Sequence, residues 1–402
     1  MDVMDKELKV PKLRFKDEDG REFLGWEERK LGEVFDYIID KGHFEKEVLT
    51  IKQGIGTVLR KASGIDIKYN QQSLGTYKLV QRNDFIVHLR SFQAGFEIAN
   101  SEGIVSPAYT ILRNKLPIAF GFYRAYFRTY NFINHNLNLV VEGIRDGRTI
   151  NISELKLIKL PLPTLLEQRK IADFLSAYDE LIGNQEKRVE ALKLRKKGLL
   201  QKIFSQEIRF KDDEGREFPA WEERKLGEVV KEYDNRTIDD KEDILLSCTT
   251  NGVFLNSDIF SHQRGASTKG YKKIKLNTLI LSCQNLHLGN ANVNFKFISG
   301  LVSPAYKTYD IINADAYFVS QLIKVKSFYN LVDKCSNAGA SACRKNIEWQ
   351  SLYDSYLSFP TLPEQRKIAD FLFVADHQIT FEEKRLDTMR LIKKALLQQL
   401  FV

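Results

Sequence analysis

Cysteine is scarce and lopsided in this chain. Its four copies, Cys248, Cys283, Cys335 and Cys343, all fall in the second half, with no Cys-x-x-Cys spacing. That pattern indicates neither a disulfide frame nor a zinc site, and reads as reduced thiols of a cytoplasmic protein. The six histidines are scattered, with no pair at metal-ligand spacing, so a histidine-based metal centre is not expected. Nowhere does an apolar run reach the roughly 20 residues that span a bilayer. The charged opening of residues 1–10 lacks a signal-peptide pattern, and no membrane association is expected. The chain also lacks a Walker-type phosphate loop, Gly-x-Gly-x-x-Gly, His-Glu-x-x-His, Gly-x-Ser-x-Gly and the Asn-Pro-Pro-aromatic motif of amino-methyltransferases. With these missing, the chain reads as non-catalytic and without a cofactor of its own.

What is present is ordinary globular material in quantity. At 402 residues, 43% hydrophobic and 28% charged, the chain can build two or three cores. A formal charge of +8 favours an acidic partner, nucleic acid first, although charge alone does not select one.

The organising feature is a repeat. Glu167-Gln-Arg-Lys-Ile-Ala-Asp-Phe-Leu175 recurs letter for letter at Glu364 to Leu372, 197 residues later. Arg14-Phe-Lys-Asp17, Gly20-Arg-Glu-Phe23 and Trp26-Glu-Glu-Arg-Lys-Leu-Gly-Glu-Val34 return from Arg209, Gly215 and Trp221, and Val105-Ser-Pro-Ala-Tyr109 returns at Val302. The period is too long for a solenoid and marks a duplicated domain, a globular body followed by a helix. Residues 35–100 share little with their counterparts at 230–298. A common frame around different interiors suits one scaffold presented to two targets; drift after duplication is the alternative.

Each nine-residue motif opens a long helical pattern. Thr164 and Thr361 stand three residues before Glu167 and Glu364, the spacing of a capping box. Behind them, Ile171, Leu175, Tyr178, Ile182, Val189, Leu192, Leu199 and Ile203 fall on steps of four and three. Ile368, Leu372, Ala375, Ile379, Leu386, Met389, Leu396 and Leu400 do the same in the second copy. Such a narrow seam fits a coiled coil formed by the two helices with each other; two independent core helices are the alternative. Gln185, Lys196, Glu382 and Lys393 interrupt the seam, and fix register, hold interior water or meet a partner helix. Phe174, Leu181, Leu194, Leu200, Phe204, Phe371, Phe381 and Leu397 lie off the seam and suggest docking of further helices. Within the bodies, Asp84 to Arg90 alternates like a half-buried strand, with a rough equivalent at Leu279 to Asn285. Residues 118–131 read as an aromatic core helix.

A duplicated body with a variable interior, each copy ending in the Glu-Gln-Arg-Lys-Ile-Ala motif and a heptad helix, resembles the specificity subunit of type I restriction–modification systems. Trp-Glu-x-x-Lys-Leu-Gly-Glu-Val at the start of each body belongs to the same likeness, which covers essentially the whole chain. Leu166, where the second copy has Pro363, and the helical Gly183 and Gly198 depart from the pattern. The resemblance implies an α+β fold: two pseudo-twofold-related mixed α/β target-recognition domains separated by a long antiparallel helical coiled coil. The expected bounds are residues 1–160 and 206–357 for the domains, and 161–205 and 358–402 for the spacer helices. It further implies that each domain reads one half of a bipartite, asymmetric site in double-stranded DNA, while the coil sets the gap. Two methyltransferase subunits would dock and methylate adenine N6 with S-adenosylmethionine. Restriction subunits would add ATP- and Mg2+-dependent translocation and cleavage. None of these cofactors is expected on this chain.

DNA-contacting residues follow from residue type, since Arg and Lys bond guanine, Asn and Gln bond adenine, and other cations grip phosphate. In the first body the candidates are Lys68, Tyr69, His88, Arg90, Gln93, Arg145 and Arg148. In the second they are Lys269, Tyr271, Lys272, Gln284, Asn285, His287, Arg344 and Lys345. A solvated surface role is the alternative for each. Two other readings of the whole chain stay open from the residues: a duplicated DNA-binding adaptor or architectural protein without a methyltransferase partner, and a DNA-modifying enzyme with a degenerate motif.

Overall fold

The computed structural model describes residues 9–64, 71–88, 95–143, 149–240, 243–260, 267–341 and 344–401. The chain divides into two compact units, residues 1–186 with 384–402, and residues 187–383. The two long helices, Leu165–Phe204 and Leu362–Gln399, each run through both units.

Each unit is built on the same four-stranded antiparallel sheet. In unit 1 the strand order is Phe35–Ile38, Thr110–Asn114, Phe85–His88, Gly95–Ile98. In unit 2 it is Val230–Tyr233, Tyr306–Ile311, Leu279–Ser282, Ala291–Val293. The alternation in Asp84 to Arg90 suggested a strand with one wet face. Instead Phe85–His88 is buried throughout, as is Leu279–Ser282. The physical reason is a second core. Phe85 and Val87 face the main aromatic cluster, while Ile86 joins Leu49, Val80, Ala99, Val105 and Ile111 on the other side. Ile280 does the same in unit 2, with Leu246, Cys248, Val253, Ile274 and Val302. Burial on both faces is how a strand comes to be apolar at consecutive positions.

The aromatic stretch 118–131 does form core, but its α-helix is only Phe120–Tyr126. Phe122, Tyr123, Tyr126 and Phe127 are buried, whereas Tyr130 is 66% exposed, beyond the helix end. Phe127 stacks on Phe96 with ring centroids 4.3 Å apart, and Phe35 and Phe85 meet it edge-on or tilted. Aromatic pairs of this kind add about 0.5–1.5 kcal/mol beyond area burial.

Within each unit the long helices pair antiparallel. In unit 1 Arg390 bonds Glu186 at 2.7 Å and Lys393 bonds Asp179, so one helix rises in number as the other falls. In unit 2 Lys193 bonds Glu383 at 2.9 Å and Lys196 bonds Asp376 at 2.7 Å, the same two contacts in repeat-equivalent positions. The seam residues are buried or half-buried. Among the interruptions, Gln185 and Glu382 are buried, at 7% and 3% exposure, and Glu382 accepts from Arg188 at 2.7 Å. Polar groups at such positions tie register to specific partners.

The capping box is realised only in part. Thr164 Oγ1 accepts from the Glu167 N–H at 3.3 Å, but Thr361 Oγ1 is buried without a partner. The two glutamates are engaged elsewhere. Glu167, fully buried, takes a bidentate contact from Arg14 at 2.8 and 3.0 Å, and Glu364 takes one from Arg209 at 2.8 and 2.9 Å. A guanidinium fork satisfies both carboxylate oxygens, which a single backbone N–H does not.

Candidate nucleic-acid interface

The sequence candidates meet three fates. Lys68, Tyr69, Arg90, Gln93, Arg145 and Arg148 lie outside the described residues, as does the side chain of Arg344, whose backbone belongs to the strand Arg344–Ile347. His88 and Lys272 are buried, at 8% and 4% exposure. Lys269 and Gln284 are exposed, and Tyr271, Asn285, His287 and Lys345 are half-buried.

In unit 1, His88 ends its strand with an imidazole pointing into a cavity of about 610 Å³. Its Nε2 is buried and unpartnered, and burial lowers its pKa while Glu97 opposes the shift. The neighbouring Glu97 is fully occupied, accepting from the Gly54 N–H at 2.7 Å and from Arg128 at 2.6 Å. Tyr130, Asn131, Asn134, Asn138, Lys394 and Gln398 complete the polar lining. Carboxamides and an imidazole over the buried Phe96 and Phe127 make a surface able to hydrogen-bond. Glu97 and Arg128 escaped the sequence reading because a pair 31 residues apart leaves no local pattern.

In unit 2 the structure draws several candidates together. Lys272 lies within electrostatic reach of Cys283, which precedes Gln284 and Asn285 in the turn after the sheet strand Leu279–Ser282. Ser282 Oγ accepts from the N–H groups of Gln284 and Asn285 at 3.4 and 3.1 Å, shaping that turn. The turn continues into Leu286–Leu288, which packs on the helix Lys326–Lys334. From that helix Asp333 holds Lys345 at 2.9 Å. Lys272 itself does not reach out: its ammonium is buried 3.4 Å from Asp234. Lys307, by contrast, sits among aromatics, 4.9 Å from the Trp349 ring and 5.8 Å from the Tyr353 ring, and is bonded to Glu232 at 2.7 Å. Its carboxylate partner is 75 residues away, so again no local signal marks it.

Nothing in this set resembles nucleophilic or metal chemistry. Burial pushes the Cys248 thiol up to about 12, and the Cys283 thiol is also raised by burial, so neither favours the thiolate. No group of His, Cys, Asp and Glu suited to a metal ion occurs among the described residues. Nor is any described helix long and apolar enough to cross a membrane.

Comparison with known proteins covers most of the chain. The family model described as type I restriction modification DNA specificity domain matches twice, at residues 24–194 and 219–390. A Methanocaldococcus jannaschii protein named for the MjaX type I restriction enzyme specificity subunit is 25% identical over 93% of this chain and 92% of its own. The MjaVIII specificity subunit of the same organism is 33% identical over 38% of this chain and 36% of its own. Among solved structures, the S subunit of a type I system from M. genitalium superposes with a TM-score of 0.54 at 18% identity, covering 98% of this chain and 99% of that one. A chain from a structural study of type I complex assembly and conformational transition gives 0.56 at 15% identity, over 94% and 97%. At these identities the superpositions speak for a shared fold.

Proposed function

The chain belongs to the type I restriction–modification DNA specificity family, and we propose that its paired helices act as the ruler between two half-site readers and as the dock for two methyltransferase subunits. As a specificity subunit it is non-catalytic, and each of its two recognition domains reads one half of a bipartite DNA site. The observation that carries this reading is the double match of one recognition-domain model to two bodies with the same sheet order and different interiors.

Ordinary physical chemistry supports the division of labour. The long helices have 40 and 38 residues, so at 1.5 Å per residue each is about 60 Å long, enough to hold two grips apart at a set spacing. For base contacts we favour the turn bearing Gln284 and Asn285, with Lys269 and Tyr271, because these keep exposed or half-exposed polar ends. Exposed apolar side chains on the helices, Leu181, Leu194, Phe381 and Leu391, offer contact area to partner helices. S-adenosylmethionine, ATP and Mg2+ belong on the partner subunits in this reading.

The test is co-expression with a cognate methyltransferase subunit, followed by sequencing that maps N6-methyladenine. A single bipartite motif with a constant gap is expected. Methylation without a gapped motif, or by the isolated chain, would overturn the proposal. The substitution Gln284→Ala should relax or abolish one half of the motif and leave the other intact.

A further inference from the structure

The repeated nine-residue motif can be accounted for almost letter by letter. Its Glu clamps Arg14 or Arg209. Its Gln, buried in both copies, donates to the carbonyl of Pro163 or Pro360 at 2.9 Å. The same side chain accepts at 2.9 Å from the N–H of Ala119 or Asp315, the residue that caps the short helix Phe120–Tyr126 or Ala316–Leu322. Its Lys donates to the carbonyl of Lys16 or Lys211 at 2.8 Å. Ile171, Leu175, Ile368, Ala369 and Leu372 are core, and Ala172 lies so close under Gly121 that a Cβ there would stand 2.9 Å away. Its Phe meets Phe15 or Phe210 edge-on, at 5.3 or 5.5 Å.

Two letters are left over. Arg169 and Asp173, and their equivalents Arg366 and Asp370, are exposed in both copies. Among the described residues none of the four has a hydrogen-bond or ion-pair partner. Arg four residues ahead of Asp is also the less favoured order for a pair within a helix. Six neighbouring exposed positions have not been kept. Leu166, Ser176, Ala177, Glu180, Leu181 and Asn184 are replaced by Pro363, Phe373, Val374, His377, Gln378 and Phe381, all exposed on both sides of the comparison. Those six have drifted, whereas the Arg and Asp, like the exposed Lys187 and Lys384 further along, have not.

We infer that Arg169 with Asp173, and Arg366 with Asp370, are two copies of one docking element, each engaging the same protein partner. On the reading given under Proposed function, that partner is the methyltransferase subunit, bound twice. The pairing of charges identifies the class. A cation and an anion on one helix face match a protein surface offering a carboxylate and a basic or amide group. The aspartate would repel the phosphates that the arginine attracts, so DNA fits poorly. Use of the same element twice explains why it is identical while the half-site readers diverged.

The experiment uses the full chain with a cognate methyltransferase subunit, and counts bound copies by native mass spectrometry. Two copies are expected on the unaltered chain, one on Arg169→Glu or Arg366→Glu, and none on the double variant at concentrations that saturate the original. Each reversal should weaken its site by about tenfold or more, with the loss shrinking at high salt. Circular dichroism and the melting temperature should not move, since the side chains are solvated. Two copies retained on the double variant would overturn the inference while leaving the proposed function standing. Two copies retained with weakened DNA binding would do the same and assign the arginines to phosphate. No binding to the unaltered chain would sink both readings.

Discussion

Arg14 and Glu167 show how much a single contact carries. Glu167 is fully buried, and the Arg14 guanidinium is held to it by two hydrogen bonds that raise the arginine's pKa against the cost of burial. Removing one partner strands the other charge. Arg14→Ala should therefore destabilise unit 1 by about 3–5 kcal/mol, read as a lower urea midpoint, with Arg209→Ala doing the same to unit 2. His88 makes a pH prediction. Burial depresses its folded pKa below the ordinary 6.5, so the unfolded chain takes up a proton that the folded chain refuses. Stability from this group is thus complete above pH 6.5 and falls as pH drops through that value toward the depressed one. His88→Gln should flatten that part of the melting-temperature profile; an unchanged profile would mean His88 does not titrate there.

At the scale of the element, the long helices contain two avoidable weaknesses. A Cβ added at Gly183 or Gly198 would meet nothing within 4 Å. Replacing either by alanine should stabilise its helix by about 1 kcal/mol, measured by chemical unfolding, with no change in the DNA motif. The ruler reading makes a different prediction. Inserting one helical turn into both helices adds about 5 Å and should widen the methylated motif's gap by one or two base pairs. A constant gap would show that the helices do not set it. The seam itself was legible because a coil repeats one requirement at every turn, so the steps of four and three in Ile171, Leu175, Tyr178 and Ile182 carry the information redundantly. The strands were legible as strands but not in their burial, because alternation reports one wet face only when no second core covers it.

For the whole molecule, the duplication predicts modular specificity. Exchanging residues 230–298 for those of a relative should replace one half of the methylated motif and preserve the other, as mapped by N6-methyladenine sequencing. Changes in both halves would mean the two bodies do not read independently. The common frame makes the exchange plausible in folding terms, since the sheet order and the contacts of Arg209, Gln365 and Lys367 repeat those of Arg14, Gln168 and Lys170.

The amino-acid sequence alone determined the duplication, the paired helices and the family, because each is written in local periodicity or in repeated words. Only the tertiary structure decided what the words do. It gave Glu167 and Glu364 to distant arginines instead of helix caps, buried Lys272 against Asp234, and left Arg169 and Asp173 facing solvent in both copies. Those outcomes depend on which side chains meet across 38 to 155 residues of chain, and a sequence read in order does not show that distance closing.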